Sequence, residues 1–199
     1  MNTKNRTQMI VGMGLLTAIV VVLQALSLSI RFGMFTITLV LVPIIVGAAL
    51  YGVWAGGWLG FVFGIVVLFT DAGAFLAVNI PGTIITVLAK GIGAGVAAGF
   101  VYALLAKKNR FVATLVSGIV APVVNTGLFL LGCLIFFMPT IKGWAEAAGF
   151  ENAGSYLILG MVGTNFVIEL IINLALSATI VQIIDIALKS GASSRNMNK

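Results

Sequence analysis

Apolar residues in this chain are gathered into six long runs, and nearly all of the charged residues lie between these runs. A helix that crosses a bilayer needs about 20 mainly apolar residues, or about 17 at the short end. Each run is about that long, so the pattern predicts six transmembrane helices. They are predicted over residues 8–30, 35–51, 54–70, 80–106, 111–138 and 156–188.

The second and third runs are short, and only Gly52 and Val53 separate them. A two-residue turn is enough to join antiparallel helices. We therefore expect two short helices here. The alternative is a bent hairpin that does not fully cross the membrane twice.

The composition supports a membrane protein, since 61% of the residues are hydrophobic and 8% are charged. A soluble domain has about half apolar and about a quarter charged residues. So few charges could not cover so large an apolar surface in water, and the lipid bilayer must be part of the solvent. The net charge of +6 would suggest nucleic acid in a soluble protein. Here the basic residues lie at helix ends, so no nucleic-acid partner is expected.

The basic residues also orient the chain in the membrane. In the six-helix topology only Arg31 and Lys142 lie on the outer side. The positive-inside rule places the other side in the cytoplasm, and both termini with it. The sequence thus predicts a multi-pass protein of a bacterial plasma membrane, with one domain over residues 1–189 and a disordered polar tail over 190–199. The inner basic residues are Lys4, Arg6, Lys107, Lys108, Arg110, Lys189, Arg195 and Lys199.

Several groups needed for catalysis are absent from the sequence. There is no histidine, no phosphate-binding G-x-x-x-x-G-K-[ST] motif, and a single cysteine, Cys133, inside an apolar run. Asp71 and Asp185 fall at opposite ends of the membrane in this topology, so they cannot form a catalytic dyad. We therefore expect neither an enzyme nor a bound metal or cofactor, and we expect Cys133 to be a packing residue.

Polar residues at membrane depth are the candidates for function. A charged side chain in hydrocarbon costs several kcal/mol unless it is paired or hydrated. The helical rise places Lys90, Asn125, Asn165 and Glu169 at similar depth on three helices. With Asn173, the last two form a polar stripe at spacings of four. One interpretation is a structural ion pair of Lys90 with Glu169. The other is an outward-open pocket in which Lys90 binds a substrate anion and the asparagines bind its amides or hydroxyls.

The outer rim of such a pocket would be formed by residues from the outer ends of the helices. The longest outer connection, 139–155, is too polar to cross the membrane, and loops of this length are commonly functional lids. The alternative is a surface turn with an amphipathic helical segment at 142–148. The rim residues are Arg31, Asp71, Asn79, Trp144 and Tyr156.

Small residues recur every four positions on three of the predicted helices. Such stripes let helices approach closely in lipid, where apolar burial does not drive association. Each stripe could pack inside the bundle or bind a second protein. The stripes are Gly91, Gly95 and Gly99, then Gly56, Gly60 and Gly64, then Gly14 and Ala18.

The run ITLVLVPIIVGAALYG at 37–52, followed by AGGWLG at 55–60, resembles the substrate-binding S components of energy-coupling factor (ECF) vitamin transporters. LAKG at 88–91, PVVNTG at 122–127 and the polar stripe at 165–173 resemble the same family. The resemblance implies six helices, an outward-facing vitamin pocket, and a complex with one transmembrane coupling protein and two ATPase subunits. It also implies that helix one contacts the coupling protein through alanines spaced four apart. Here Gly14 replaces the first alanine and Ala18 keeps the second.

The resulting hypothesis is a substrate-capture subunit for ATP-dependent uptake of a water-soluble vitamin. The chain most resembles pantothenate members of the family, and a lysine with several asparagines suits a carboxylate that carries an amide and two hydroxyls. Riboflavin or another vitamin is an alternative substrate. The alternative functions are a proton-coupled transporter with Glu169 as the carrier and a non-transporting scaffold.

Overall fold

The structure is a computed structural model. It describes the backbone of residues 3–27, 31–32, 35–36 and 39–196. It describes the side chains of 6–27 and 39–186, except those of 164, 177 and 178.

Helices dominate the described chain, and a two-stranded antiparallel ladder pairs Arg31 with Thr36 and Phe32 with Phe35. Because the helices carry the chain's apolar runs, the fold is all-α, as predicted. The helices and strands are α1 Thr3–Ser27, β1 Arg31–Phe32, β2 Phe35–Thr36, α2 Leu41–Tyr51, α3 Val53–Thr70, α4 Gly73–Leu76, α5 Ile80–Leu105, α6 Arg110–Phe136, α7 Met138–Ala147, α8 Ala153–Ser155, a π-helix Tyr156–Val162 and α9 Gly163–Asn196.

Within the described residues, five stretches of helix are long and apolar enough to cross a membrane. They confirm a membrane bundle, while the cytoplasmic position of the termini stays a prediction. A sixth apolar helix, α2, has 11 residues, which gives a length of about 16 Å against a hydrocarbon core of about 30 Å. The five stretches are Arg6–Ser27, Val53–Thr70, Ile80–Leu105, Arg110–Phe136 and Ala153–Leu176.

The predicted start of the second helix at residue 35 is wrong, because Phe35 lies in β2 and α2 begins at Leu41. The late start places Pro43 in the first turn of α2, where its missing N–H costs no helical hydrogen bond. An interior proline is tolerated elsewhere in this bundle, since α6 contains Pro122.

A tight turn at Gly52 separates α2 from α3, as the sequence predicts. Its φ of 93° lies in a region that favours glycine. The Gly52 N–H donates to the Ala48 carbonyl at 2.9 Å, and the Gly52 carbonyl accepts from the Ala55 N–H at 3.0 Å. The same residue thus ends one helix and begins the next.

Glycines bring α3 and α5 into direct backbone contact. A Cβ atom at Gly60 would overlap the carbonyl of Gly91, and one at Gly95 would overlap the carbonyl of Gly56. The stripes on these two helices therefore pack against each other inside the bundle. By contrast, nothing lies within 4 Å of a Cβ placed at Gly14 on α1.

The predicted outer connection 139–155 is largely helical. Ile141 and Ala145 of α7 are buried, and they pack in a hydrophobic cluster with Phe75, Phe137 and Cys133. Cys133 is buried and free, in line with the predicted packing role. This connection is thus tied to the bundle by one apolar helical face.

The last long segment begins as a π-helix, Tyr156–Val162, and continues as α9 to Asn196. A Cβ at Gly163 would overlap the carbonyl of Ile158, so the junction between the two helix types needs a glycine. The division into a domain over 1–189 and a disordered tail over 190–199 stays a prediction.

Replacing Gly60 by alanine tests the packing of α3 on α5. We expect Gly60→Ala to lower the stability of the purified chain by about 1–3 kcal/mol, the usual effect of overpacking. Thermal unfolding in detergent measures this. Gly127→Ala is the control, because Gly127 also lies within a helix but has open space where its Cβ would be. Equal melting temperatures of the two variants would contradict the close approach.

Candidate functional site

A cavity with an empty volume of about 330 Å³ lies among α5, α6, the π-helix and α9. Three of the four residues that the sequence places at one depth line it together. The lining residues are Lys90, Asn125, Thr126, Phe129, Met161, Val162, Asn165 and Phe166.

Lys90 provides the positive charge of this cavity. Its Nζ lies 5.2 Å from the ring centroid of Phe129 and 5.8 Å from that of Phe63. Both distances are within the range of a cation–π interaction. The Lys90 ammonium therefore lies near two aromatic rings and is presented to the cavity.

Two asparagine oxygens in this cavity accept no hydrogen bond from the part of the chain that the structure describes. They are Oδ1 of Asn125 and Oδ1 of Asn165, and both are buried; Asn125 is 7% exposed. A buried acceptor without a donor costs about 1–3 kcal/mol. A ligand with N–H or O–H groups would satisfy both oxygens.

Glu169 sets the orientation of the Asn165 amide. Asn165 Nδ2 donates to Glu169 Oε1 at 3.4 Å, which is at the long end for a hydrogen bond. Asn173 Nδ2 donates to the Glu169 carbonyl at 2.8 Å. A carboxylate accepts hydrogen bonds, so the amide nitrogen of Asn165 faces Glu169 and its oxygen is left for the cavity. Two hydrogen bonds thus link the three residues of the predicted polar stripe.

The π-helix contributes Met161 and Val162 to the wall. A π-helix advances fewer degrees per residue than an α-helix, and short π segments are frequent at functional sites. Here the π segment ends one residue before α9, which carries Asn165. The change of helix type therefore sets how Met161 and Asn165 are arranged around the cavity.

The predicted rim residues lie in several different places. Asp71 lines a second cavity, which also contacts Lys90. Asn79 caps α5, where its Oδ1 accepts from the Gly82 N–H at 2.9 Å, and it does not line either cavity. Trp144 lies edge-on to Phe75 with centroids 5.5 Å apart.

Tyr156 is buried, with its ring 5.3 Å from that of Phe150. The backbone of Arg31 is in β1, and its side chain lies outside the described residues. The role of these rim residues in binding stays a prediction.

Sequence reasoning missed Thr86, Thr126 and Phe129. Thr86 precedes Lys90 by four residues, and Phe129 follows Asn125 by four. Residues four apart lie on the same helix face. This spacing is the signal that places Thr86 and Phe129 beside Lys90 and Asn125, but it does not show that the Thr86 hydroxyl lacks a partner.

The chain is similar to one family of known membrane transport proteins over most of its length. The family model described as ECF transporter, substrate-specific component matches residues 8–181, and it confirms the family resemblance seen in the sequence. No curated protein and no solved structure matches the chain.

The unpaired oxygen of Asn125 should affect the thermal stability of the ligand-free chain. We expect Asn125→Leu to raise the melting temperature of the empty chain, because it removes a buried acceptor that lacks a donor. Ser117→Ala on the same helix is the control, since the Ser117 hydroxyl donates to the Ala98 carbonyl at 3.0 Å. It should lower the melting temperature. If both variants were destabilised alike, the Asn125 oxygen would have to be satisfied in the native chain.

Proposed function

This chain belongs to the family of ECF transporter substrate-specific components, and from that premise we propose that it binds pantothenate in the cavity at Lys90. The family gives the general function, which is substrate binding for the uptake of vitamin-type small molecules by an integral membrane protein. Such components are not catalytic, and partner ATPase subunits hydrolyse ATP. Family membership therefore favours ATP-driven uptake over a proton-coupled carrier or a scaffold.

The choice of substrate is supported by one observation. The Lys90 ammonium and the unpaired amide oxygens of Asn125 and Asn165 line the same cavity. Pantothenate has a carboxylate, one amide and two hydroxyls. Its carboxylate would pair with the Lys90 ammonium in a charge-assisted hydrogen bond. Its amide N–H and a hydroxyl would donate to Asn125 and Asn165.

Riboflavin fits this set of groups less well. It has hydroxyls and ring acceptors but no carboxylate, so it would leave Lys90 without an anionic partner. A hydrogen bond that involves a charged group contributes about 1.5–3 kcal/mol, more than one between neutral groups. The cavity thus favours an anionic vitamin over a neutral one.

Removing the Lys90 charge tests this assignment. We expect Lys90→Met to weaken pantothenate binding by more than about tenfold, because a hydrogen bond to a charged group is lost. Isothermal titration calorimetry on the purified chain measures the dissociation constant. Lys107→Met is the control, because Lys107 is an exposed lysine that lines neither cavity. Unchanged affinity in Lys90→Met would refute the contact.

We also propose that Gly14 and Ala18 on α1 contact the transmembrane coupling protein of the complex. Both residues are exposed, and nothing lies within 4 Å of a Cβ placed at Gly14. Their neighbours Val11 and Leu15 are 66% and 63% exposed. A smooth stripe of this kind permits the close approach of a partner helix.

Two contacts hold α1 in the orientation that leaves this stripe free. Trp58 Nε1 on α3 donates to Thr17 Oγ1 at 3.2 Å. The hydroxyl of Tyr51 fills the space beside Gly12. Both contacts lie on the side of α1 that faces the bundle, so the opposite side is available to a partner.

A large side chain at Gly14 should reduce transport by the complex without changing substrate binding by the chain. We expect Gly14→Leu to reduce ATP-dependent vitamin uptake by the assembled transporter while pantothenate affinity stays unchanged, because the added side chain blocks only the partner helix. Uptake by proteoliposomes and calorimetry on the isolated chain measure the two properties. Gly127→Leu is the matched control, as Gly127 is also an exposed helical glycine with open space around it. Normal uptake by Gly14→Leu would exclude this contact.

A further inference from the structure

A second cavity, with an empty volume of about 380 Å³, adjoins the first one. The two share Lys90 and Phe129 as wall residues. The second cavity is also lined by Asp71, Phe75, Thr86 and Phe137. Asp71 directly follows α3, Phe75 is in α4, Thr86 is in α5, and Phe137 directly follows α6. Lys90 is therefore reached from both spaces.

Thr86 is a buried hydroxyl that the fold leaves without a partner. It is 4% exposed, and its Oγ1 makes no hydrogen bond within the described part of the chain. Its neighbour Thr83, which lines the same cavity, donates to the Asn79 carbonyl at 2.7 Å. A Cβ at Gly132 on α6 would overlap the Thr86 side chain, so glycine is needed opposite it.

The rest of this cavity is mainly apolar and aromatic. Phe75 meets Phe129 and Phe137 edge-on, with centroids 5.6 Å and 5.0 Å apart. Apolar walls with one free hydroxyl suit an aliphatic or ring group that itself carries a hydroxyl. Asp71 would repel an anion here, whereas no carboxylate is among the described residues that line the first cavity.

We propose that one substrate molecule occupies both cavities, with its parts divided by chemistry. The carboxylate, the amide and the hydroxyl next to the amide lie in the first cavity, against Lys90, Asn125 and Asn165. The apolar, hydroxyl-bearing part lies in the second cavity, against the phenylalanine rings and the Thr86 hydroxyl. This inference rests on the proposed function and adds to it that the substrate has two such parts, as pantothenate does with its dimethyl diol end.

Cysteine protection tests whether both cavities are filled. In a Cys133→Ala background, Thr126→Cys places a thiol in the first cavity and Ala72→Cys places one in the second. Neither substitution removes a polar contact named above for the substrate. We expect saturating pantothenate to slow the reaction of both thiols with a small methanethiosulfonate reagent. Lys107→Cys, at an exposed helix end, should react at the same rate with and without pantothenate.

The outcomes separate this inference from the function on which it rests. Protection of Thr126→Cys alone would overturn the inference and leave the proposed function in place. If calorimetry showed no binding of pantothenate to the unsubstituted chain, the proposed substrate would be wrong. The inference that one pantothenate molecule occupies both cavities would then be wrong as well.

A shortened ligand gives a second measurement. N-acetyl-β-alanine keeps the carboxylate and the amide of pantothenate but lacks the dimethyl diol end. We expect Thr86→Val to lower the affinity for pantothenate by about two- to tenfold, the effect of one neutral hydrogen bond. The affinity for N-acetyl-β-alanine should be unchanged. Equal weakening of both ligands would show that Thr86 does not contact the diol end.

Discussion

The backbone contact between α3 and α5 is the constraint on which the site depends. In a bilayer the hydrophobic effect does not draw helices together, so van der Waals contacts between closely packed helices must supply the attraction. Gly60 and Gly91 allow this approach, and Lys90 directly precedes Gly91. The contact therefore fixes the rotation of α5. It directs the Lys90 ammonium toward Phe63 on α3 and away from lipid.

The first cavity contains polar groups that the described chain does not pair. Asn125 and Asn165 each hold a buried oxygen without a donor there, and a buried acceptor of this kind costs about 1–3 kcal/mol. Glu169 adds a buried carboxylate whose position holds the Asn165 amide nitrogen away from the cavity. Polar groups fixed in advance lose little freedom when a ligand binds. Under the proposed function a bound ligand would supply the missing donors, so the atoms that are unfavourable in the empty chain would contribute to affinity.

Much of the bundle could be predicted because a membrane imposes a simple requirement of length and apolarity. The predicted segments 54–70 and 80–106 agree with α3 and α5 to within one residue. The start of the second helix was predicted wrongly because an apolar run does not distinguish a strand from a helix. The meeting of Lys90 with the asparagines followed from depth alone. Thr86 could not be recognised in this way, because a threonine in a helix usually satisfies its hydroxyl on a carbonyl four residues earlier.

The same small-residue pattern has two different outcomes in this chain, and only contacts distinguish them. Gly60 is covered by a neighbouring helix, whereas Gly14 is open. In water an open apolar stripe would be unfavourable, but lipid chains cover it at little cost because they are as apolar as the side chains around it. The open stripe on α1 therefore does not destabilise the isolated chain. The proposed partner helix would replace lipid by protein at this stripe, which exchanges one apolar environment for another.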